Sequence, residues 1–233
     1  PDEVRNLAEK TYGKVKNPTS LSGMELVRKR PSEPPSVVPR RVEMTDPRAG
    51  TTRITRTYLA PSFSTAVKGE GEGLELLAEI LGGGATARLY RELVIDRAIA
   101  VDAGAYFRGA RLDSGEFSIY AVLAPGAELD DLETAMDDMV GELTKNGVTE
   151  AELTRAKTSV VSASIYAQDN QQHMARTFGS ALTTGLTVEQ VQAWPRNVKA
   201  TTVADVVAAA RNWLKLKRSV TSTLRPGPEG GRS

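Results

Sequence analysis

The chain contains no cysteine and a single histidine, His173. The first absence rules out thiol nucleophiles, disulfides and cysteine-bound zinc or iron–sulfur centres within these residues. It does not name a compartment, since cytosolic and exported proteins alike can dispense with cysteine. The second rules out a zinc site built on two imidazoles within one copy. Long apolar runs are missing as well, so no segment reads as a bilayer-spanning helix, and no membrane partner is expected. Charge of either sign is not in excess: 30 basic and 29 acidic residues leave +1. That balance gives no electrostatic reason to expect nucleic acid or an anionic membrane as a partner. The opening residues have no Met, no basic n-region and no apolar h-region. They are expected to continue from preceding sequence, which leaves periplasm and cytoplasm equally open. What remains is 233 residues with 40% hydrophobic content, enough for one large domain or a domain with appendages. No internal repeat is evident.

The residues that are present are organised around positions 74–106. Leu74, Leu77, Ala78, Ile80 and Leu81 recur at helical spacing and predict a helix. Gly82, Gly83 and Gly84 end it, because glycine alone takes left-handed angles without steric cost. Thr86 is placed to cap a second helix, whose apolar side is Leu89, Leu93 and Ile99, and a strand follows. A triple glycine invites comparison with phosphate-cradling loops. Here no GKS or GKT ending follows and no strand precedes, so punctuation between helices is the reading adopted.

The run Gly82-Gly83-Gly84, followed by Ala87-Arg88-Leu89-Tyr90-Arg91-Glu92-Leu93, resembles the C-terminal domain of the M16 (pitrilysin/insulinase, mitochondrial processing peptidase-like) zinc metallopeptidases. Arg97 and Ala100 also fall where that family often has Arg and Ala. The resemblance implies an M16 C-terminal-type domain over 40–225. It makes residues 1–15 the end of a missing N-terminal domain, 16–39 a proline-rich linker and 226–233 a disordered tail. In the family such halves surround a chamber that admits unfolded peptides, which makes Gly82, Gly83, Gly84 and Arg88 candidates for its wall. Many members also carry an Arg and a Tyr that hold substrate across the cavity. At those positions stand Val94 and Val101, which offer neither a guanidinium fork nor a phenol hydroxyl.

Elsewhere the pattern is legible in pieces. Pro18, Pro31, Pro34, Pro35 and Pro39 favour extended backbone and read as a linker, although a tail has the same composition. Strands are predicted over 40–44 and 53–59, with an antiparallel pair over 103–109 and 116–123 turning at Asp113-Ser114-Gly115. A helix over 129–145 stops at Asn146-Gly147. Thr149 and Glu152 form a capping box for a helix that neither Pro nor Gly interrupts before Gly179. A short helix begins at Thr187 and ends at Trp194-Pro195. Thr201-Thr202 cap a helix over 203–214, a last strand covers 219–224, and Arg225 onward is expected to fray. This order predicts an α+β two-layer sandwich, an antiparallel-rich sheet with helices on one face. A ferredoxin-like derivative would share that order.

M16 catalysis requires His-x-x-Glu-His with a further Glu ligand. His173 stands instead among Gln171, Gln172, Met174 and Ala175, so no catalytic residue and no metal ligand is expected here. Zinc is expected in the missing N-terminal domain if the parent is an active peptidase. His173 reads as a solvated imidazole; Asp169 could orient it, but no nucleophile is indicated. Asp130, Asp131, Asp137, Asp138 and Glu142 read as a solvated acidic face, since EF-hand spacing is lacking. Arg88, Arg91 and Arg97 could meet a substrate carboxylate, but ordinary salt links with Glu92 and Asp96 are the simpler expectation. Trp194 and Trp213 are assigned to the core.

These expectations combine into one reading: the non-metal-binding C-terminal half of an M16-type zinc peptidase subunit. Its implied partners are the missing domain, a second M16-type subunit and unfolded peptide. The two valines point to the zinc-bearing member of a heterodimer whose partner contributes Arg and Tyr. The rivals are a non-catalytic M16-like scaffold or presenting subunit, and an unrelated α+β binding domain.

Overall fold

The computed structural model describes residues 2–15, 34 and 36–227. It divides into two compact units, Pro1–Pro34 and Pro35–Ser233. In the first, α1 (Asp2–Thr11) has Asp2 and Glu3 in its first turn and Lys10 in its last, matching the helix dipole. Arg5 and Glu9 pair one turn apart at 3.0 Å, and a 3-10 turn covers Tyr12–Lys14. The predicted linker over 16–39 lies mostly outside the described residues.

The second unit begins with β1 (Arg40–Asp46) and β2 (Arg53–Pro61), both longer than their propensity suggested. Then comes α2 (Glu70–Gly82), whose Leu74, Leu76, Leu77, Ala78, Ile80 and Leu81 are all buried. A helix apolar on so many sides belongs inside a domain, and α2 packs against both sheet and helices. One α-turn, α3 (Arg88–Tyr90), runs on into a π-turn over Arg91–Asp96. β3 (Ala100–Arg108) and β4 (Ser114–Leu123) form the predicted antiparallel pair, except that Ser114 and Gly115, expected in the turn, are strand residues because they pair with Pro61 and Ala60 of β2. The remaining helices are α4 (Leu129–Asn146), α5 (Glu150–Ala167), α6 (Gln171–Thr183), α7 (Val188–Ala200) and α8 (Val203–Trp213). A 3-10 turn at Leu216–Arg218 leads into β5 (Ser219–Pro226).

Four further local expectations need correction. The helix opened by Thr149 does not run on to Gly179: it ends at Ala167, and Asn170 caps a new helix by accepting from the His173 N–H at 3.0 Å. An N-cap carboxamide outweighs uninterrupted propensity at that point. Pro195 lies inside α7, which continues to Ala200 because Val198 is fully buried and the Trp194 indole donates to Glu75 at 2.6 Å. Ala87, with no side-chain bond, stands at the N-cap that Thr86 was expected to fill. Arg225 and Pro226 are strand residues opposite Thr45 and Asp46, and the Gly227 N–H donates to the Asp46 carbonyl at 3.1 Å.

The sheet order is β1-β5-β2-β4-β3, with β1 parallel to β5 and every other pairing antiparallel. One face is closed by helices: Ile54, Tyr58, Ala60, Ala103, Phe117, Ile119 and Ala121 join the core with the leucines of α2. The alternating residues occupy the opposite face, where Leu59 is 63% exposed. This is the two-layer α+β sandwich.

Candidate functional site

The glycine corner is held by three different constraints. At Gly82 a Cβ would strike the backbone of Gly104 and Ala105 in β3, so its role is the close approach of helix to sheet. At Gly83 a Cβ would meet Glu79. Gly84 has open space around it but a φ of +116°, which side chains rarely adopt. Gly83 and Arg88 share a cleft of about 100 Å³ with Thr86, Glu152, Arg155 and Ser159.

Arg88 is fully engaged there. Its Nε donates to Glu152 Oε1 at 2.6 Å, and its Nη2 donates to Oε2 at 2.8 Å and to the Gly147 carbonyl at 3.1 Å. Glu152 is also the distal residue of the Thr149 capping box. The Arg88 guanidinium and the cap hold its carboxyl down at about 2. Arg97 pairs with Glu92 at 2.7 Å and Arg91 lies 3.7 Å from Asp96, the ordinary links expected. Arg88, by contrast, reaches two helices further on. A second cleft of about 390 Å³ opens on its other side toward Asp138, Met139 and Glu142.

Val94 packs partly buried against the core, whereas Val101 is 49% exposed on edge strand β3. The backbone between them is irregular. The π-turn closes with the Arg97 N–H on the Glu92 carbonyl, Ala98 has φ +52°, and the β3–β4 register slips between Ala100 and Asp102. His173 is exposed on α6. Among the described residues no group of three or more His, Asp or Glu is placed to hold a metal ion.

Of the five acidic residues of α4 assigned to a solvated face, Asp137 instead pairs with Arg56, a correction to the sequence reading, and Glu133 on the same helix joins it. Arg56 is 2% exposed and also donates to Glu133 at 2.6 Å and Thr221 at 3.0 Å. Glu133 in turn accepts from the Arg41 Nη2 at both its oxygens, at 2.6 and 2.7 Å. The strand alternation Ile54, Arg56, Tyr58, Ala60 was the available sign that Arg56 points inward. The tryptophans pack on the core and each donates to an acid of α2, Trp194 to Glu75 and Trp213 to Glu70. Burial pushes the Glu75 carboxyl up to about 7, opposed by that indole and reinforced by Glu72 and Glu79.

The helix-free sheet face carries a cluster that sequence reasoning missed. The Arg53 guanidinium lies over the Tyr120 ring at 4.4 Å, and Arg108 lies over Tyr106 at 4.8 Å. The two rings are 6.4 Å apart. Tyr120 stands opposite Gly104 on β3, where a Cβ would come within 3.0 Å of the ring. Thr57 and Ser118 share a hydrogen bond of 2.9 Å on the same face. Arg108 also donates to Glu116 at 2.6 Å.

A family model described as "Peptidase M16 inactive domain" matches residues 1–160. The chain is 31% identical over 159 residues to an uncharacterized zinc protease of Rickettsia felis, covering 66% of this chain and 36% of that protein. It is 29% identical over 188 residues to an uncharacterized zinc protease of Mycobacterium bovis, covering 78% and 42%. A protease from Helicobacter pylori has the same fold at TM-score 0.81 and 22% identity, over 97% of this chain and 52% of that one. The chain thus spans less than half the length of these curated relatives.

Proposed function

Because this chain belongs to the M16 peptidase family and matches its inactive domain, we propose that it is the non-metal-binding half of a zinc peptidase and supplies wall to a chamber for unfolded peptides. The observation that carries this reading is the lone imidazole, His173, exposed on α6. A hydrolytic zinc centre of the inverted type needs two histidines and a glutamate, and no such set can be drawn from these residues. The side chains do not fit a catalytic zinc, so no chemical step is assigned to them. The metal and the water it activates belong to the half that these residues do not include, as the greater length of the relatives supports.

Within that assembly the helix-free sheet face is the surface that meets peptide, since the opposite face is filled by α2 and its neighbours. Val94 and Val101 support a division of labour in which a second M16-type subunit brings the Arg and Tyr that hold substrate.

The test is to produce the chain alone and together with a zinc-bearing M16 half from the same polypeptide, and to follow cleavage of an unstructured peptide. Cleavage is expected only from the combination, and it stops on chelation and returns with zinc. Chelator-sensitive cleavage by the chain alone would overturn the reading. A combination that binds peptide without cutting it would favour a presenting scaffold.

A further inference from the structure

We propose that the stacked guanidinium of Arg53 is a recognition point for an acidic side chain of an extended peptide lying on the helix-free sheet face. This deepens the chamber-wall reading and rests on it.

Arg53 is exposed and makes no ion pair with a carboxylate among the described residues. Its neighbour in kind, Arg108, is stacked in the same way on Tyr106 but already donates to Glu116. A guanidinium stacked on an aromatic face spends only that face, and its in-plane N–H donors stay free for a carboxylate fork. Stacking on Tyr120 also holds the long side chain in one place before any ligand arrives. Less side-chain entropy is then lost on binding.

The placement of Tyr120 is itself built. Its ring occupies the space above Gly104 that any side chain at that position would fill. Burial, and then the Asp102 charge, push the Tyr120 hydroxyl up, so the phenol stays protonated as Asp102's partner. Asp102 pairs in register with Val122, and Val122 with Arg53, so the two backbones are two strands apart, about 10 Å, and the Asp102 carboxylate reaches the ring from its β3 side at the hydroxyl. An incoming carboxylate is therefore drawn to the β2 side of the ring and repelled from the β3 side. Beyond Arg53 the same face of β2 continues through Thr55 and Thr57 to Leu59, a row that an extended backbone can follow.

The occupant is an extended peptide in which acidic residues flank an apolar one. The probe is a fluorescein-labelled unstructured peptide with a Glu-Phe-Glu core, compared with its Gln-Phe-Gln counterpart by anisotropy on the whole chain. Arg53→Ala is expected to weaken the acidic peptide about tenfold, the loss typical of one charge-assisted contact, and to leave the neutral peptide unchanged. Arg53→Lys recovers only part, because it keeps the charge and loses the fork. Added salt reduces the preference for the acidic peptide. Equal affinity of both peptides for the native chain, or an acidic peptide indifferent to Arg53→Ala, overturns the proposal.

A photoreactive residue at Leu59, exposed on the same face, separates the two levels of the argument. Capture of either peptide there despite Arg53→Ala leaves the wall standing without the carboxylate site. Capture only from a photoreactive residue at Asp138, on α4, removes both.

Discussion

Arg56 carries a full charge in an interior that the helices seal, and it is matched there by Glu133, Asp137 and Thr221. Removing the guanidinium strands those partners, so Arg56→Ala is expected to cost about 3–5 kcal/mol in urea unfolding, far more than loss of a surface pair. Glu75 is the converse case. Its folded carboxyl sits at about 7, above the unfolded value near 4.5. A raised acid contributes stability that is complete below the unfolded value and lost as pH climbs toward the folded one. Stability is therefore expected to fall between about pH 4.5 and pH 7. Glu75→Gln, which can still accept from the Trp194 indole, flattens that slope and raises the unfolding midpoint above pH 7, by on the order of 1–2 kcal/mol. Neither residue stood out in the sequence. A strand arginine and a helix glutamate look like surface residues until partners 77 positions away for Arg56 and 119 for Glu75 are brought alongside.

At the scale of elements, α5 is fastened at its first turn by one carboxylate, Glu152, that accepts from two residues, Arg88 and Thr149. Thr149→Ala removes the cap hydroxyl and is expected to cost about 1 kcal/mol. Glu152→Ala removes the carboxylate half of the capping box and the Arg88 fork together and is expected to cost roughly 2–3 kcal/mol at neutral pH. Because the Glu152 carboxyl is held at about 2, its contribution is present above the unfolded value near 4.5 and lost as pH falls from there toward 2. The native chain and Glu152→Ala should thus converge in acid, which paired melts at several pH values will check. The corner glycines separate by mechanism: Gly82→Ala drives a methyl into the β3 backbone and should cost about 3 kcal/mol or more, whereas Gly84→Ala costs about 1–2 kcal/mol of strain. Capping boxes and the glycine stop were legible because each is decided within a few residues, whereas the β3–β4 turn was placed too late, since pairing with Ala60 and Pro61 draws Gly115 and Ser114 into β4. Asn170, Pro195 and the π-turn were not legible, because neighbours remote in sequence decide whether a helix breaks or continues there.

For the whole molecule, strand order matters more than strand count. β5 lies between β1 and β2, so the sheet cannot hold β1 without it. Ending the chain after Arg218 is expected to abolish the cooperative thermal transition in near-UV circular dichroism, not to shave a small increment from it. A sharp transition in that truncation would show that the other strands suffice. The propensity pattern located all five strands but could not order them, since pairing partners are chosen by the finished fold. That order has a consequence during synthesis. The nascent polypeptide must wait, with two strand borders unsatisfied, for the one segment able to bridge them, and that segment is translated after every other strand of the sheet. Ribosomes that stall late in the message should therefore leave a product prone to sticking to its neighbours, whereas early stalls leave too little sheet to do so.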